Sequence, residues 1–254
     1  MLKKEFYDLR LRSFVIFAIG VGLFFVLAPF QEMTIEMLKQ YSEVQNMPKF
    51  LEKLIPKTFV QNLSDWNFYI FSQWFGKNLG QIVPIVAIIM AFPLFARENE
   101  NRTIEFLLAR ESRKKVFFAK SLLGLSILLI QMLIFSLLPV FYSFFARENL
   151  NYTQLWAFLV HTVVGAVFWF ALSLLFSVIS NDQVKPILIS VGLLAITTAL
   201  GVIKSTRFLN TYAYILGSKI FQSGRIDFGY TMGLLISSIV LFFLSYNFFL
   251  KKEF

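Results

Sequence analysis

The chain has 254 residues, 57% of them hydrophobic and 18% aromatic, with only 15% charged; soluble domains carry about a quarter charged residues, so that class is excluded. Its net charge of +9 is spread along the chain, which argues against a nucleic-acid partner and suits the positive bias of cytoplasmic membrane loops. There is no cysteine, which removes disulfides and thiol chemistry.

Several apolar runs approach or exceed the ~18 residues of a membrane-span candidate. The chain therefore reads as an all-α polytopic membrane protein, a single transmembrane domain over residues 1–254 with six transmembrane helices. Residues 1–12 place Phe6 and Leu9 on one helical face and Lys3, Lys4, Arg10 and Arg12 elsewhere, the pattern of an N-terminal interfacial helix. The first span covers about 13–30. Gln31 and Glu32 come directly after it, with no small-residue cleavage pattern, so it is read as a retained span and not a signal peptide.

A long outer segment, 31–75, comes next. Met37, Leu38, Tyr41 and Val44 have helical spacing, Pro48 and Pro56 punctuate the stretch after them, and Trp66, Tyr69 and Trp74 are expected at the membrane surface. The second span covers 76–95 and contains Pro84 and Pro93, both expected to bend it. The third covers 116–145, interrupted at Pro139, and the fourth 155–179. A tight polar loop at 181–186 leads to the short fifth span, 187–203. A second outer segment, 204–227, has apolar patches at 212–216 and at Ile220 and Phe221 that suit partial entry into the bilayer; the sixth span is 228–250. With both termini inside, the inner segments hold 14 of the 24 basic residues over far less chain than the outer ones, which favours cytoplasmic termini.

The stretch 97–120, between the second and third spans, is the most basic in the chain, with Arg97, Arg102, Arg110, Arg113, Lys114, Lys115 and Lys120. Ile104, Leu107 and Leu108 fall at i, i+3 and i+4, so a helix here has one apolar stripe. Asn99 or Asn101 can cap it, and the basic cluster sits at its negative dipole end. It reads as a docking element; a loop that only fixes topology has the same composition.

Catalytic motifs are missing. The only Gly-Lys pair, Gly76-Lys77, is followed by Asn78 and has Phe71 where a phosphate-binding loop needs glycine. A single histidine, His161, rules out a His-Glu-x-x-His zinc site. The four aspartates (Asp8, Asp65, Asp182, Asp227) fall at loops or ends, and Gly-x-Ser-x-Gly is absent. No catalytic, cofactor-binding or metal residue is assigned. The spans lack midplane charge, which weakens a self-sufficient carrier. His161, inside the fourth span, is read chiefly as a neutral histidine hydrogen-bonded between helices, with a functional role as the alternative.

The run Glu98-Asn-Glu-Asn-Arg102-Thr103-Ile104-Glu105-Phe-Leu107-Leu108-Ala109, then Ser112-Arg113 and Lys120, resembles the first cytoplasmic loop of ABC-2 type permeases. The usual proline after Leu-Leu-x is absent, with Arg110-Glu111 in its place. The order of spans and loops resembles the family as well. The resemblance implies a bacterial or archaeal plasma-membrane exporter subunit, multi-pass, with cytoplasmic termini. Two such permeases, identical or homologous, pair in the lipid bilayer above two separate ATPase subunits, which bind ATP and Mg; this chain carries neither.

In that arrangement a cytoplasmic coupling helix between spans 2 and 3 seats in the ATPase. Ile104, Leu107 and Leu108 anchor it, Glu98, Arg102, Thr103, Glu105 and Arg113 set its register, and Lys120 passes its motion to the third span. Asn181, Asp182, Gln183, Lys185 and Pro186 form the second contact. The cargo class stays open between lipid, peptide and hydrophobic drug. The competing readings are a non-transporting subunit that tethers an ATPase in an envelope or sensing complex, and an autonomous carrier.

Overall fold

A computed structural model describes residues 2–43 and 62–253 of the chain, and every described regular element is helical. Helix α1 (Leu2–Leu27) runs through a 3-10 turn at Ala28–Phe30, where Pro29 interrupts the ladder, into α2 (Gln31–Glu43). The expected interfacial helix and first span are thus one unbroken helix up to Leu27. The charged residues of its first turns do not end it, because Glu5 and Asp8 find cationic partners on neighbouring helices. Val44, Pro48 and Pro56 lie outside the described residues.

The second crossing begins at Asp65, whose carboxylate accepts the Phe68 N–H as an N-cap. It continues as α3 (Trp66–Ile70), a π-helical stretch at Phe71–Leu79, α4 (Gly80–Ala91) and α5 (Pro93–Glu100). Pro93 does interrupt the ladder, and Ser177 of the fourth crossing fills the gap: its hydroxyl donates to the Phe92 carbonyl and accepts from the Phe95 and Ala96 N–H groups. One-turn α6 (Ile104–Leu108) follows. Then come α7 (Arg113–Ala146), capped by Ser112, α8 (Tyr152–Ile179), capped by Asn151, and α9 (Val184–Leu200).

Pro139 does not break α7. A proline leaves the carbonyl four residues earlier without its helical donor, and here that carbonyl, Phe135, accepts from the Trp74 indole at 3.0 Å. The rings expected at the membrane surface therefore point inward. Trp74 is fully buried, the Trp66 indole donates to Ser143, and the Tyr69 hydroxyl donates to the Leu27 carbonyl. Each polar handle is used while the ring fills the core.

After α9, a 3-10 turn (Lys204–Leu209), α10 (Thr211–Ile215) and α11 (Ser218–Ser223) fold back onto the bundle before α12 (Phe228–Lys251). Two close approaches fix this fold-back against α8. A Cβ at Gly165 would meet Ile215 at 2.4 Å; one at Gly217, which sits at φ 74°, would meet Phe158 at 2.2 Å. α8 is the central post, packed by α4, α7, α9 and α12. Among the described residues, five helical stretches are long and apolar enough to cross a membrane: Lys3–Met37, Trp66–Glu100, Arg113–Ala146, Tyr152–Ile179 and Phe228–Lys251. Val184–Leu200 is apolar but has only 17 residues.

Candidate functional site

The segment singled out by its charge lies at the end of the bundle that carries both termini. Its apolar stripe does not face outward as a unit. Ile104 is 2% exposed in the chain's own core, and Leu107 and Leu108 are half-buried against it. The ring left open is Phe106, 73% exposed on the far side of the same turn. Hydropathy spacing could not separate these faces, since a five-residue helix has no second turn to define a stripe.

Arg102, exposed just before this turn, has φ 54°. That left-handed backbone suits glycine and strains a residue with a Cβ. It reverses the chain between α5 and α6, helped by the Thr103 N–H donating to the Glu98 carbonyl at 2.9 Å. Glu105 is exposed beside it.

Behind the turn lies a buried ionic node. Lys120, 1% exposed, donates to Glu5 at 2.7 Å and to Glu98 at 3.0 Å. Glu98 also accepts from Lys4 at 3.4 Å and from the Thr103 hydroxyl. Next to it, Arg97 pairs with Asp8 at 2.7 Å. The node links α1, α5 and α7 at one point. Isolated buried charges are costly, and these are held by being paired and hydrogen-bonded. Carboxylate oxygens of Glu5, Asp8 and Glu98 lie within 4.8 Å of one another. With the Lys120 ammonium and Arg97 guanidinium already among them, the donor set does not fit a metal ion.

Of the expected contact residues, Glu98 and Lys120 are therefore interior, and Thr103 is half-buried with its hydroxyl on Glu98. Arg113 reaches the end of α12, donating to the carbonyls of Phe249, Leu250 and Lys252 at 3.2, 3.0 and 2.6 Å. Lys252 does the same for α8, donating to Val178, Ile179 and Ser180 at 2.9 to 3.1 Å. Both cations sit at the negative end of a helix dipole. Burial lowers the Lys252 ammonium pKa from its ordinary value. Sequence reasoning missed Lys252; its position just past a long apolar helix was the available signal.

The loop between α8 and α9 comes to the same surface. Gln183 donates twice to the Glu100 carboxylate, at 2.7 Å from its side chain and 3.3 Å from its backbone, and Asn99 donates to the Ser180 carbonyl at 2.8 Å. Asp182 accepts from Lys185, which holds its carboxyl below the usual range; Lys185 and Asn181 are exposed. A concavity of about 290 Å³ opens between the two loops, lined by Arg102, Glu105, Asn181, Lys252 and Glu253 among others. The two loops expected to act together thus form one polar surface with a single protruding aromatic ring.

His161, at the opposite end, is fully buried. One ring nitrogen, Nε2, accepts the Asp227 N–H at 3.2 Å, so Nδ1 donates to the Tyr214 carbonyl at 2.9 Å. Both nitrogens of a neutral imidazole are used in holding the fold-back, as the structural reading of this residue expected.

A family model described as ABC-2 family transporter protein matches residues 1–254. No curated protein and no solved structure matches the chain.

Proposed function

The chain belongs to the ABC-2 family of transporter proteins, matched over residues 1–254, and on that premise we propose that it is the permease subunit of an ATP-driven exporter. It works with a second permease chain and with separate ATPase subunits, which bind ATP and Mg. Val184–Leu200 serves as the sixth crossing; at about 1.5 Å per residue it spans about 25 Å, enough for most of a hydrocarbon core of about 30 Å. An even number of crossings puts both termini, the 97–120 loop and the 180–185 loop on one side, and the concentration of basic residues there makes that side the cytoplasm.

The observation that carries this reading is Phe106. A large ring standing open on a short, backed turn among charged residues suits an interaction anchor better than a topology signal. Phe106 enters the ATPase groove, while Arg102, Glu105, Asn181 and Lys185 surround it as the polar rim. α6 is the coupling helix, and its anchor is Phe106, with Ile104 fastening it to the permease from behind. A push on α6 passes through Glu98 and Thr103 to Lys120 and Glu5, so α5, α7 and α1 move together. Exported cargo is of the lipid, peptide or hydrophobic drug class.

Affinity purification in mild detergent with mass spectrometry tests this. A P-loop ATPase accompanies the wild-type chain and is lost from Phe106→Asp, which still elutes as a folded protein. Retention of the ATPase by that variant at wild-type stoichiometry overturns the docking role.

A further inference from the structure

Two cavities meet at the end of the bundle opposite the termini. The larger, about 510 Å³, is a trough between α8, α9 and α12, walled by Trp169, Leu172, Leu193 and Leu234 and floored on α12 by Gly229 and Gly233. A Cβ at either glycine would meet nothing within 4 Å, so the space is real width beside the helix. The second, about 420 Å³, is a polar cup formed by the fold-back, with Arg207, Lys219, Asn210 and Gln222 among its walls. Phe208 and Tyr230 line both cavities, and the Tyr230 hydroxyl donates to the Phe208 carbonyl at 2.8 Å, so trough and cup share one seam.

The charges of the cup are unequal. Lys219 is matched by Asp227 at 2.7 Å, whereas Arg207 is exposed and has no ion pair among the described residues. The segment 204–227 holds four basic residues and one acidic one. From Gly229 to Ser237 the trough follows α12 for about 12 Å at 1.5 Å per residue, close to the depth of one leaflet of a ~30 Å hydrocarbon core.

We propose that trough and cup together form a binding site for one anionic phospholipid, its acyl chain along Gly229, Gly233 and Leu234 and its phosphate at Arg207. A zwitterionic lipid brings the same phosphate but adds a cation to a segment that already holds four basic residues against one acidic one; a soluble anion would use the cup and leave an apolar cleft empty. An amphiphile satisfies both. A chain seated there wedges α9 from α12 and holds the fold-back against α8, making the lipid a structural ligand and not cargo. In the orientation proposed above the site opens to the outer leaflet; the site itself does not depend on that orientation.

Native mass spectrometry of the detergent-purified protein with dioleoyl-phosphatidylglycerol or dioleoyl-phosphatidylcholine tests the site. Wild type is expected to retain phosphatidylglycerol at least fivefold better. Arg207→Gln removes that preference, and Gly233→Leu, which fills the trough, reduces both lipids. Bromine on the phosphatidylglycerol acyl chain quenches wild-type fluorescence more than that of Trp169→Phe. Equal retention of the two lipids, or an unchanged preference in Arg207→Gln, overturns the proposal, as does quenching that ignores Trp169. Phe106→Asp separates this from the docking role: it removes the ATPase and leaves lipid retention as in wild type.

Discussion

At the end of the bundle that carries the termini, three helices are joined by full charges: Lys120 between Glu5 and Glu98, with Asp8 and Arg97 alongside. At the opposite end the fold-back is joined to α8 by neutral groups and by contact. His161 bonds to Tyr214 and Asp227 and stacks on the Tyr214 ring at 3.9 Å, and Gly165 and Gly217 let backbone and side chain approach closely. The difference follows from range and tolerance. An ion pair in a poorly polarisable interior still attracts when its members separate by an ångström, so the charged node can flex and stay connected. Neutral hydrogen bonds and interdigitated packing lose most of their strength over the same displacement. The first end can stay joined through a displacement; the second keeps a shape.

The largest effect expected from this contrast is at Lys120. Lys120→Met leaves Glu5 and Glu98 facing each other in a buried site, a loss of about 3–5 kcal/mol. Its detergent-solubilised thermal transition should fall well below wild type. The triple variant Lys120→Met, Glu5→Gln, Glu98→Gln removes the charges together and should recover most of the transition temperature. What it should not recover is coupling: ATPase stimulation by cargo is expected to stay low, because neutral contacts do not hold α1, α5 and α7 together through a displacement. Full recovery of coupling in the triple variant would mean that the charges have no role beyond stability.

His161→Ala is the matching change at the other end, and smaller. It removes two hydrogen bonds and leaves the Asp227 N–H unpaired, while the Tyr214 carbonyl keeps the Gly217 N–H; the loss is about 1–3 kcal/mol. Limited proteolysis should then cut within 204–227 sooner than in wild type, while ATPase association and transport stay close to wild type. Lost transport with intact assembly would give this histidine a functional role and erase the contrast between the two ends.

How far these features can be read from the sequence differs for the same physical reason. Apolar runs set the positions of the crossings, because hydropathy is a local property. The continuity of α1 through Glu5 and Asp8 is hidden, since those carboxylates look like an end until Lys120 and Arg97 arrive from over 80 residues away. Trp74 reads as a surface ring because its acceptor exists only by virtue of Pro139 in another helix. The loop motif brings out Glu98, Arg102, Thr103 and Lys120 together, yet not that Glu98 and Lys120 are partners inside the protein and Phe106 the residue outside.

Arg102 gives the smallest and sharpest test, because it lies where the charged end meets the solvent. Its left-handed backbone costs an ordinary residue roughly 1 kcal/mol that glycine does not incur. Glycine in turn loses more chain entropy on folding, so Arg102→Gly should stabilise the isolated permease by at most about 0.5–1 kcal/mol, a slight rise in the thermal transition. The guanidinium lost lies at the rim around Phe106, where a charge sets encounter and register more than affinity. The ATPase should therefore still co-purify, but its association should slow and lose part of its salt dependence. Arg102→Ala separates the two effects: it keeps the strain and removes the charge, so it should match the glycine variant in association rate and fall below it in stability. Should both variants associate as wild type does at low and moderate salt, the positive charge at 102 would have no part in docking, and the arginine would be a strained residue without a role on this surface.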